Sequence, residues 1–227
     1  MKTAWRWVAA GAAALVALGL VSALLAPTLG RTALDPDAAT PGGTRALAEL
    51  LRVQGVTVER TTDVERAMST GSSTTLVVAY PELLPKEDVQ RLEQLTSNVI
   101  VLGPVAARSG YLGVLPSAEA DVEVRQPECD LAAAVQSGDA RTGGFAFTAT
   151  PAADADGPLG GATECFPAGD GPSIVQRGTS SGAQHTIVGS AAFMTNEWLA
   201  EAGNAALALN LTGQKPTLVW WLPTPRY

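Results

Sequence analysis

Residues that bind metals or carry nucleophilic chemistry are scarce in this sequence. It has one histidine, His185, and two cysteines, Cys129 and Cys165. A structural zinc site needs four such ligands, and two thiols with one imidazole supply only three. We therefore predict no metal site and no cofactor.

Positive charge is also in the minority. The chain has 15 basic and 22 acidic residues, for a formal net charge of −7. Residues 1–31 contain three of the basic residues and none of the acidic ones, so residues 32–227 have 12 basic against 22 acidic, a net −10. Nucleic acids and anionic membrane surfaces would repel such a domain. Nucleic acid is therefore not an expected partner.

The N-terminus contains a long uncharged segment, Trp7 to Ala26. As a helix with ~1.5 Å rise per residue it would extend about 30 Å, the thickness of a hydrocarbon core, which predicts one transmembrane helix. Lys2 and Arg6 precede it, and the positive-inside rule places the N-terminus in the cytoplasm and the rest outside the cell membrane. A cleaved signal peptide is the alternative, but residues 22–27 (SALLAP) offer a poor cleavage site.

Composition then predicts four parts. Residues 1–30 are the cytoplasmic stub and transmembrane anchor, and residues 31–43 are a Pro/Gly/Asp-rich linker. Residues 44–223 form the extracytoplasmic domain, and residues 224–227 form a short tail.

Apolar periodicity predicts alternating helices and strands in the first half of the domain. Residues 74–80 (TTLVVAY) are apolar without alternation, as in a strand covered by helices on both faces. Strands and helices that alternate with short connections predict an α/β fold with a doubly wound, mostly parallel sheet. We expect helices at residues 44–54, 62–68 and 86–96, and strands at 56–60, 74–80 and 99–102.

The middle of the chain departs from this alternation and is predicted to be a β-rich excursion from the sheet. Cys129 and Cys165 bracket it, and an even number of cysteines in an exported domain indicates a disulfide between them. Two buried free thiols are the alternative. Residues 173–177 and 185–188 then predict a hairpin joined by GTSSGAQ.

The stretch from Thr186 to Leu222 predicts a buried strand, a turn, a capped helix and a last strand. The strand TIV ends at Gly189-Ser190, and Thr195 or Asn196 would cap a helix that continues through GNAALALNLTG. A turn between a strand and a helix is where α/β proteins place their sites.

Polar residues near these turns are candidate ligand or partner contacts. The turn PGGTR opens a helix whose amides and dipole suit an anion, with plain capping as the alternative. It is not a Walker A loop, which needs a lysine and a wider glycine spacing. For the asparagines of the last helix, structural hydrogen bonding is the alternative to ligand contact. The candidates are Gly43, Thr44, Arg45, Ser190, Asn196 and Asn204.

No set of residues amounts to a catalytic site, so we predict no catalytic residues. The spacing of GTSSG around Ser180 matches a serine-hydrolase elbow, which requires a strand-to-helix turn and a histidine held by a carboxylate. Here a strand is predicted after Ser180, and His185 is too close in sequence to be a remote partner. A Gly/Ser hairpin explains the motif better.

The stretches LDPDAATPGGTRALAELLRVQGV, TTLVVAYPELL and VGSAAFMTNEWLAEAGNAALALNLTG, with the Cys129 and Cys165 pair, together resemble the DUF4350 family of bacterial membrane proteins. The resemblance covers nearly everything from Leu34 to Pro223. It implies a fold similar to class I glutamine amidotransferases without their catalytic cysteine, since residues 101–106 (VLGPVA) contain none. It also implies two-span proteins encoded near a MoxR-type ATPase, whereas this sequence reaches Tyr227 before any second span.

These inferences predict a non-enzymatic, membrane-anchored extracytoplasmic domain that binds a protein partner or a small ligand of the cell envelope. The contact region would be the edge formed by the PGGTR turn, the Gly189-Ser190 turn and Asn196. One alternative is an envelope serine hydrolase or amidase that uses Ser180 or Ser190. A second is a structural scaffold subunit of a membrane complex.

Overall fold

The strands form one seven-stranded sheet and a separate two-stranded ribbon in the computed structural model, which describes residues 33–105, 110–150 and 161–225. The strands are β1 (Thr57–Thr61), β2 (Thr74–Ala79), β3 (Asn98–Leu102), β4 (Val114–Arg125), β5 (Ala140–Ala149), β6 (Thr163–Ala168), β7 (Gly171–Gly178), β8 (Gln184–Val188) and β9 (Thr217–Trp221). The helices are α1 (Arg45–Val53), α2 (Val64–Met68), α3 (Lys86–Glu93), α4 (Ala132–Ser137) and α5 (Asn204–Thr212), with 3-10 turns at Pro81–Leu83 and Ala192–Met194.

The seven-stranded sheet is mixed. Its strand order is β1-β9-β2-β3-β8-β7-β6. The pairs from β1 to β8 are parallel, whereas β7 and β6 pair antiparallel with their neighbours. β4 and β5 pair antiparallel with each other and form the ribbon.

The predicted doubly wound, mostly parallel fold is therefore wrong. The sheet is mixed, and the helices are few and short, at most nine residues in the described part of the chain. Within residues 33–105, 110–150 and 161–225, no helix has the length and apolar character needed to cross a membrane. The predicted stub and anchor, residues 1–30, lie outside the described residues.

The central strands are buried on both faces, which confirms the interpretation of TTLVVAY. All six residues of β2 are buried. Leu76 and Val78 pack into one core, whereas Val77 and Ala79 pack into the other. Trp220 and Trp221 of β9 likewise point to opposite cores. The sheet thus separates two apolar layers, and each layer is covered by short helices.

The segment predicted as a linker, residues 31–43, packs on the domain from Ala33 onward. The hydroxyl of Tyr80 donates to the carbonyl of Ala33. Arg60 Nε donates to both carboxylate oxygens of Asp35 at 3.0 Å. The described part of this segment is therefore held by charge-assisted hydrogen bonds.

The last predicted helix is shorter than expected. It begins at Asn204, and residues 195–203 form turns instead. Ala202 has a positive φ of 44°, a conformation that does not fit an α-helix. Gly203 approaches α4 so closely that an added Cβ would lie 2.1 Å from the carbonyl oxygen of Ser137. Packing against α4 therefore overrides the helical pattern of this stretch.

The disulfide Cys129–Cys165 is present and is confirmed. It joins the loop after β4 to β6, where Cys165 is buried. The β7–β8 hairpin is also confirmed, with Thr179 N donating to Ala183 O at 2.9 Å across its turn. The disulfide therefore ties the ribbon to the antiparallel end of the sheet.

Removing this disulfide should lower the free energy of unfolding. Its cysteines are 36 residues apart, and the chain-entropy model gives about 4 kcal/mol for closing such a loop. We expect the double variant Cys129→Ser/Cys165→Ala to unfold at lower urea concentration than the oxidised protein. Reductant should destabilise the native protein to a similar degree and leave the variant unchanged. Equal urea midpoints for all four samples would contradict the expectation.

Candidate functional site

Asn196 connects the start of α1 to the loop that precedes it. Its side-chain Oδ1 accepts from the backbone amide of Ala46 at 2.9 Å. Its Nδ2 donates to the carbonyls of Ala38, at 2.9 Å, and Thr40, at 2.7 Å. Oδ1 therefore takes the place of an N-cap side chain, supplied from 150 residues away in the sequence. Each polar atom of the Asn196 side chain is bonded within the domain.

The residues of the PGGTR turn also have structural partners. The hydroxyl of Thr44, which is fully buried, donates to Leu34 O at 3.3 Å and does not cap the helix. Gly43 lies so close to Ala38 that an added Cβ would be 2.2 Å from its carbonyl oxygen. The amide of Ala46, which an anion at this helix start would use, is already bonded to Asn196. The turn is thus built by close packing and internal hydrogen bonds.

Arg45 is the exposed member of this group. Its Nε lies 3.9 Å from Glu49 Oε1, and both side chains are more than half exposed. With Ala39, Ala46 and Asn196 they line a shallow depression of about 370 Å³. The structure therefore brings Gly43, Thr44, Arg45 and Asn196 together.

Ser190 lies at a different turn, which the ribbon covers. Its Oγ accepts from Ala192 N at 3.2 Å. The preceding residue, Gly189, is in such close contact with β5 that an added Cβ would lie 2.1 Å from Phe145 O. A Cβ on Gly144 of β5 would in turn lie 2.5 Å from Gly189 O. The main chain of β5 therefore occupies the place where the sequence predicted an open crevice.

Asn204 is fully buried and bonds to neither of these turns. Its Oδ1 accepts from the amide of Arg141 at 2.7 Å, and its Nδ2 donates to Trp198 O at 2.7 Å. This geometry fits the interpretation of Asn204 as a residue that makes structural hydrogen bonds. Asn204 fastens the first residues of β5 to the turn before α5.

Sequence reasoning missed Arg141. Its guanidinium binds both carboxylate oxygens of Glu201, with Nη2 to Oε1 at 2.8 Å, and lies 4.2 Å from the centroid of the Trp198 ring. Its Nη1 donates to Val122 O at 3.1 Å on β4. The hydrogen bonds from Arg141 lower the pKa of Glu201. Arg141 thereby connects both strands of the ribbon to the turn before α5, and no sequence signal links residues 60 positions apart.

His185 is buried at the start of β8 and is bonded to a tyrosine. The hydroxyl of Tyr111 lies 2.8 Å from His185 Nδ1, and the two rings stack with centroids 5.8 Å apart. Burial lowers the pKa of His185 to about 4, and burial raises the pKa of Tyr111 well above its usual value. Ser180 is exposed in the β7–β8 turn. The described residues therefore show no serine with a histidine placed as its base.

Residues 36–212, well over half of the 227, match the model of a family described as Domain of unknown function (DUF4350). The chain belongs to the DUF4350 family. It is 33% identical over 223 residues to a relative from Mycobacterium tuberculosis (strain ATCC 25618 / H37Rv) described as Uncharacterized membrane protein Rv3691. The alignment covers 96% of this chain and 55% of that protein, so the chain spans about half the length of this relative.

No solved structure matches this DUF4350 chain significantly. The amidotransferase-like fold that the family resemblance implies is therefore not confirmed. In residues 33–105, 110–150 and 161–225, no group of three or more His, Cys, Asp or Glu side chains is arranged to hold a metal ion.

Substitution of Asn196 should destabilise this DUF4350 domain far more than substitution of Arg45. Asn196→Ala removes three hydrogen bonds, each contributing about 1 kcal/mol, so we expect a loss of about 3 kcal/mol. Arg45→Ala removes an exposed ion pair and should change stability by less than ~1 kcal/mol. Urea unfolding measures both. Asn196→Asp, which keeps the acceptor and loses the donors, should fall between them. Equal, small effects at both positions would contradict the structural role of Asn196.

The stability of the domain should also decrease as the pH is lowered, because His185 binds a proton more readily in the unfolded chain than in the folded protein. In the folded protein its pKa is about 4, whereas in the unfolded chain it is about 6.5, so the unfolded state binds the extra proton between these values. The stabilisation is present above pH 6.5 and is lost as the pH falls towards 4, by about 2 kcal/mol between pH 7 and pH 5.

Because His185 is the only histidine, the variant His185→Gln isolates its contribution. Urea unfolding of both proteins at pH 7, 6 and 5 should show the stability difference shrinking as the pH falls. A difference that stays constant over this range would contradict a buried neutral imidazole.

Proposed function

We propose that this chain is a non-catalytic, membrane-associated domain that binds a protein partner in the cell envelope. The ribbon of β4 and β5 is the observation that carries the proposal. Its inner strand closes the crevice where an α/β enzyme would bind its substrate, and its outer strand is exposed along most of its length.

The closed crevice supports a role without catalysis. A nucleophile needs a base within hydrogen-bond reach, commonly with a third group that orients the base. Ser190 accepts a bond from a backbone amide beside β5, and Ser180 sits in an exposed hairpin turn. His185, the only histidine, is bonded to Tyr111 in the interior. The hydrolase alternative therefore has no favourable geometry among the described residues.

The outer strand supports a role in binding. Eight of the twelve residues of β4 are exposed, so this strand contributes little to either core. A two-stranded hairpin alone is marginally stable in water. This ribbon is fastened to the rest of the domain by the contact of Arg141 with Glu201 and by the disulfide after β4. Such an exposed and well-fastened element suits contact with a partner better than it suits core packing.

The family and the disulfide support the proposed location. The relative is described as a membrane protein. Disulfides persist in oxidising compartments and are rare in the cytosol, so Cys129–Cys165 favours the extracytoplasmic side. We include a MoxR-type ATPase system among the candidate partner systems, on the family resemblance alone.

Crosslinking in intact cells tests the binding function. A photoreactive amino acid at Val124 on β4 should give one recurrent protein adduct in the membrane fraction. The same amino acid at Val53 on α1, which is also exposed, provides the control surface. A chain that is recovered outside the membrane fraction, or that gives no adduct from any exposed position, would contradict the proposed function.

A fluorophosphonate probe tests the absence of catalysis in the same preparation. We expect no labelling of the native chain beyond the level seen with the double variant Ser180→Ala/Ser190→Ala. Labelling that the double variant abolishes would establish a reactive serine and overturn the non-catalytic assignment.

A further inference from the structure

The outer strand of the ribbon has an unpaired edge. β4 spans 12 residues and pairs with β5 alone among the described strands. The outer side of an edge strand presents backbone N–H and C=O groups that an additional strand can pair with. Arg125 and Arg141 bind the carbonyls of Asp121 and Val122. The stretch of β4 before these residues, from Ser117 to Ala120, pairs with no described strand other than β5.

Acidic side chains accompany this open edge. Glu119, Asp121 and Glu123 line an open groove of about 480 Å³ together with Gly144 and Gly169, which have no side chains to fill it. Arg125 neutralises Glu123 at 2.9 Å. The carboxylates of Glu119 and Asp121 make no ion pair with any described residue. The edge is thus bordered by negative charge that the domain itself leaves uncompensated.

These charges disfavour a second copy of this chain as the occupant when the two strands pair about Asp121 or in parallel register. If two β4 strands paired antiparallel about Asp121, each Asp121 would lie opposite its counterpart, and Glu119 would lie opposite Glu123. Parallel pairing in register would set every carboxylate beside its own copy. Like charges directly opposite each other destabilise a strand pair.

We propose that the β4 edge binds an extended segment of a partner protein that carries lysine or arginine at alternate positions. The segment pairs with the backbone of Ser117 to Ala120, while its basic side chains lie in the groove against Glu119 and Asp121. Backbone pairing supplies affinity and the alternate side chains supply specificity. This inference rests on the proposed function, because it names the surface and the chemistry of its partner.

A synthetic peptide probe tests the proposal on the purified, oxidised protein. The probe is a blocked heptapeptide that alternates lysine and threonine, and the matched control peptide alternates glutamate and threonine. We expect the lysine peptide to bind and the glutamate peptide not to bind, as measured by fluorescence anisotropy. N-methylation of alternate backbone amides of the lysine peptide should weaken binding at least tenfold, because it removes the donors for strand pairing.

The double variant Glu119→Gln/Asp121→Asn should weaken binding of the lysine peptide about tenfold. Glu82→Gln/Glu87→Gln, which removes two exposed charges elsewhere, should leave binding unchanged. Circular dichroism and urea unfolding establish that both variants fold. Binding that is insensitive to N-methylation or to the Glu119 and Asp121 changes would overturn the proposal.

A separate outcome would also overturn it. If the native protein binds no lysine peptide, and the Glu119→Gln/Asp121→Asn variant dimerises in sedimentation analysis, the charges serve only to prevent self-association. The crosslinking experiment distinguishes failure of strand pairing at the β4 edge from failure of the proposed binding function. A protein adduct formed in cells at Val53 and not at Val124 would retain the function while locating it elsewhere.

Discussion

The position of the ribbon depends on a close main-chain contact between β5 and the turn after β8. Two glycines make this contact possible: Gly144 on β5 and Gly189 on the turn. A Cβ at Gly189 would fall 2.1 Å from Phe145 O, a distance that no side chain tolerates. Because β5 lies there, the end of β8 is closed and β4 is carried to the outside. The proposed role of the domain in binding a partner depends on this contact.

Features that depend on local sequence could be predicted. The uniform apolarity of TTLVVAY identified a strand buried on both faces, and GTSSGAQ identified a hairpin, because each pattern reflects the environment of consecutive residues. The disulfide followed from cysteine count and compartment. The strand order of the sheet could not be predicted, since it depends on contacts between segments far apart in the sequence, such as β1 beside β9.

Features that depend on distant residues could not be predicted. Asn196 was recognised as a candidate, but its partners at Ala38, Thr40 and Ala46 lie at least 150 residues away. The sequence predicts that Thr195 or Asn196 caps the helix that follows these residues, whereas Asn196 caps α1. In the same way, no periodicity connects Arg141 to Glu201 across 60 positions. The sequence therefore identifies candidate residues by their chemical type, whereas the role of each residue depends on the distant residues that the fold brings next to it.

The place of β9 in the sheet has a consequence for biosynthesis. Among the described strands, β1 pairs with β9 alone, and Thr57 lies opposite Thr217, which the ribosome adds 160 residues later. β2 also pairs with β9 on one side, so this edge of β2 stays unpaired until the ribosome has added β9. Pairing across such separations delays folding and exposes strand edges to aggregation. The edges of β1 and β2 that face β9 therefore stay unpaired during synthesis until residues 217–221 have been added.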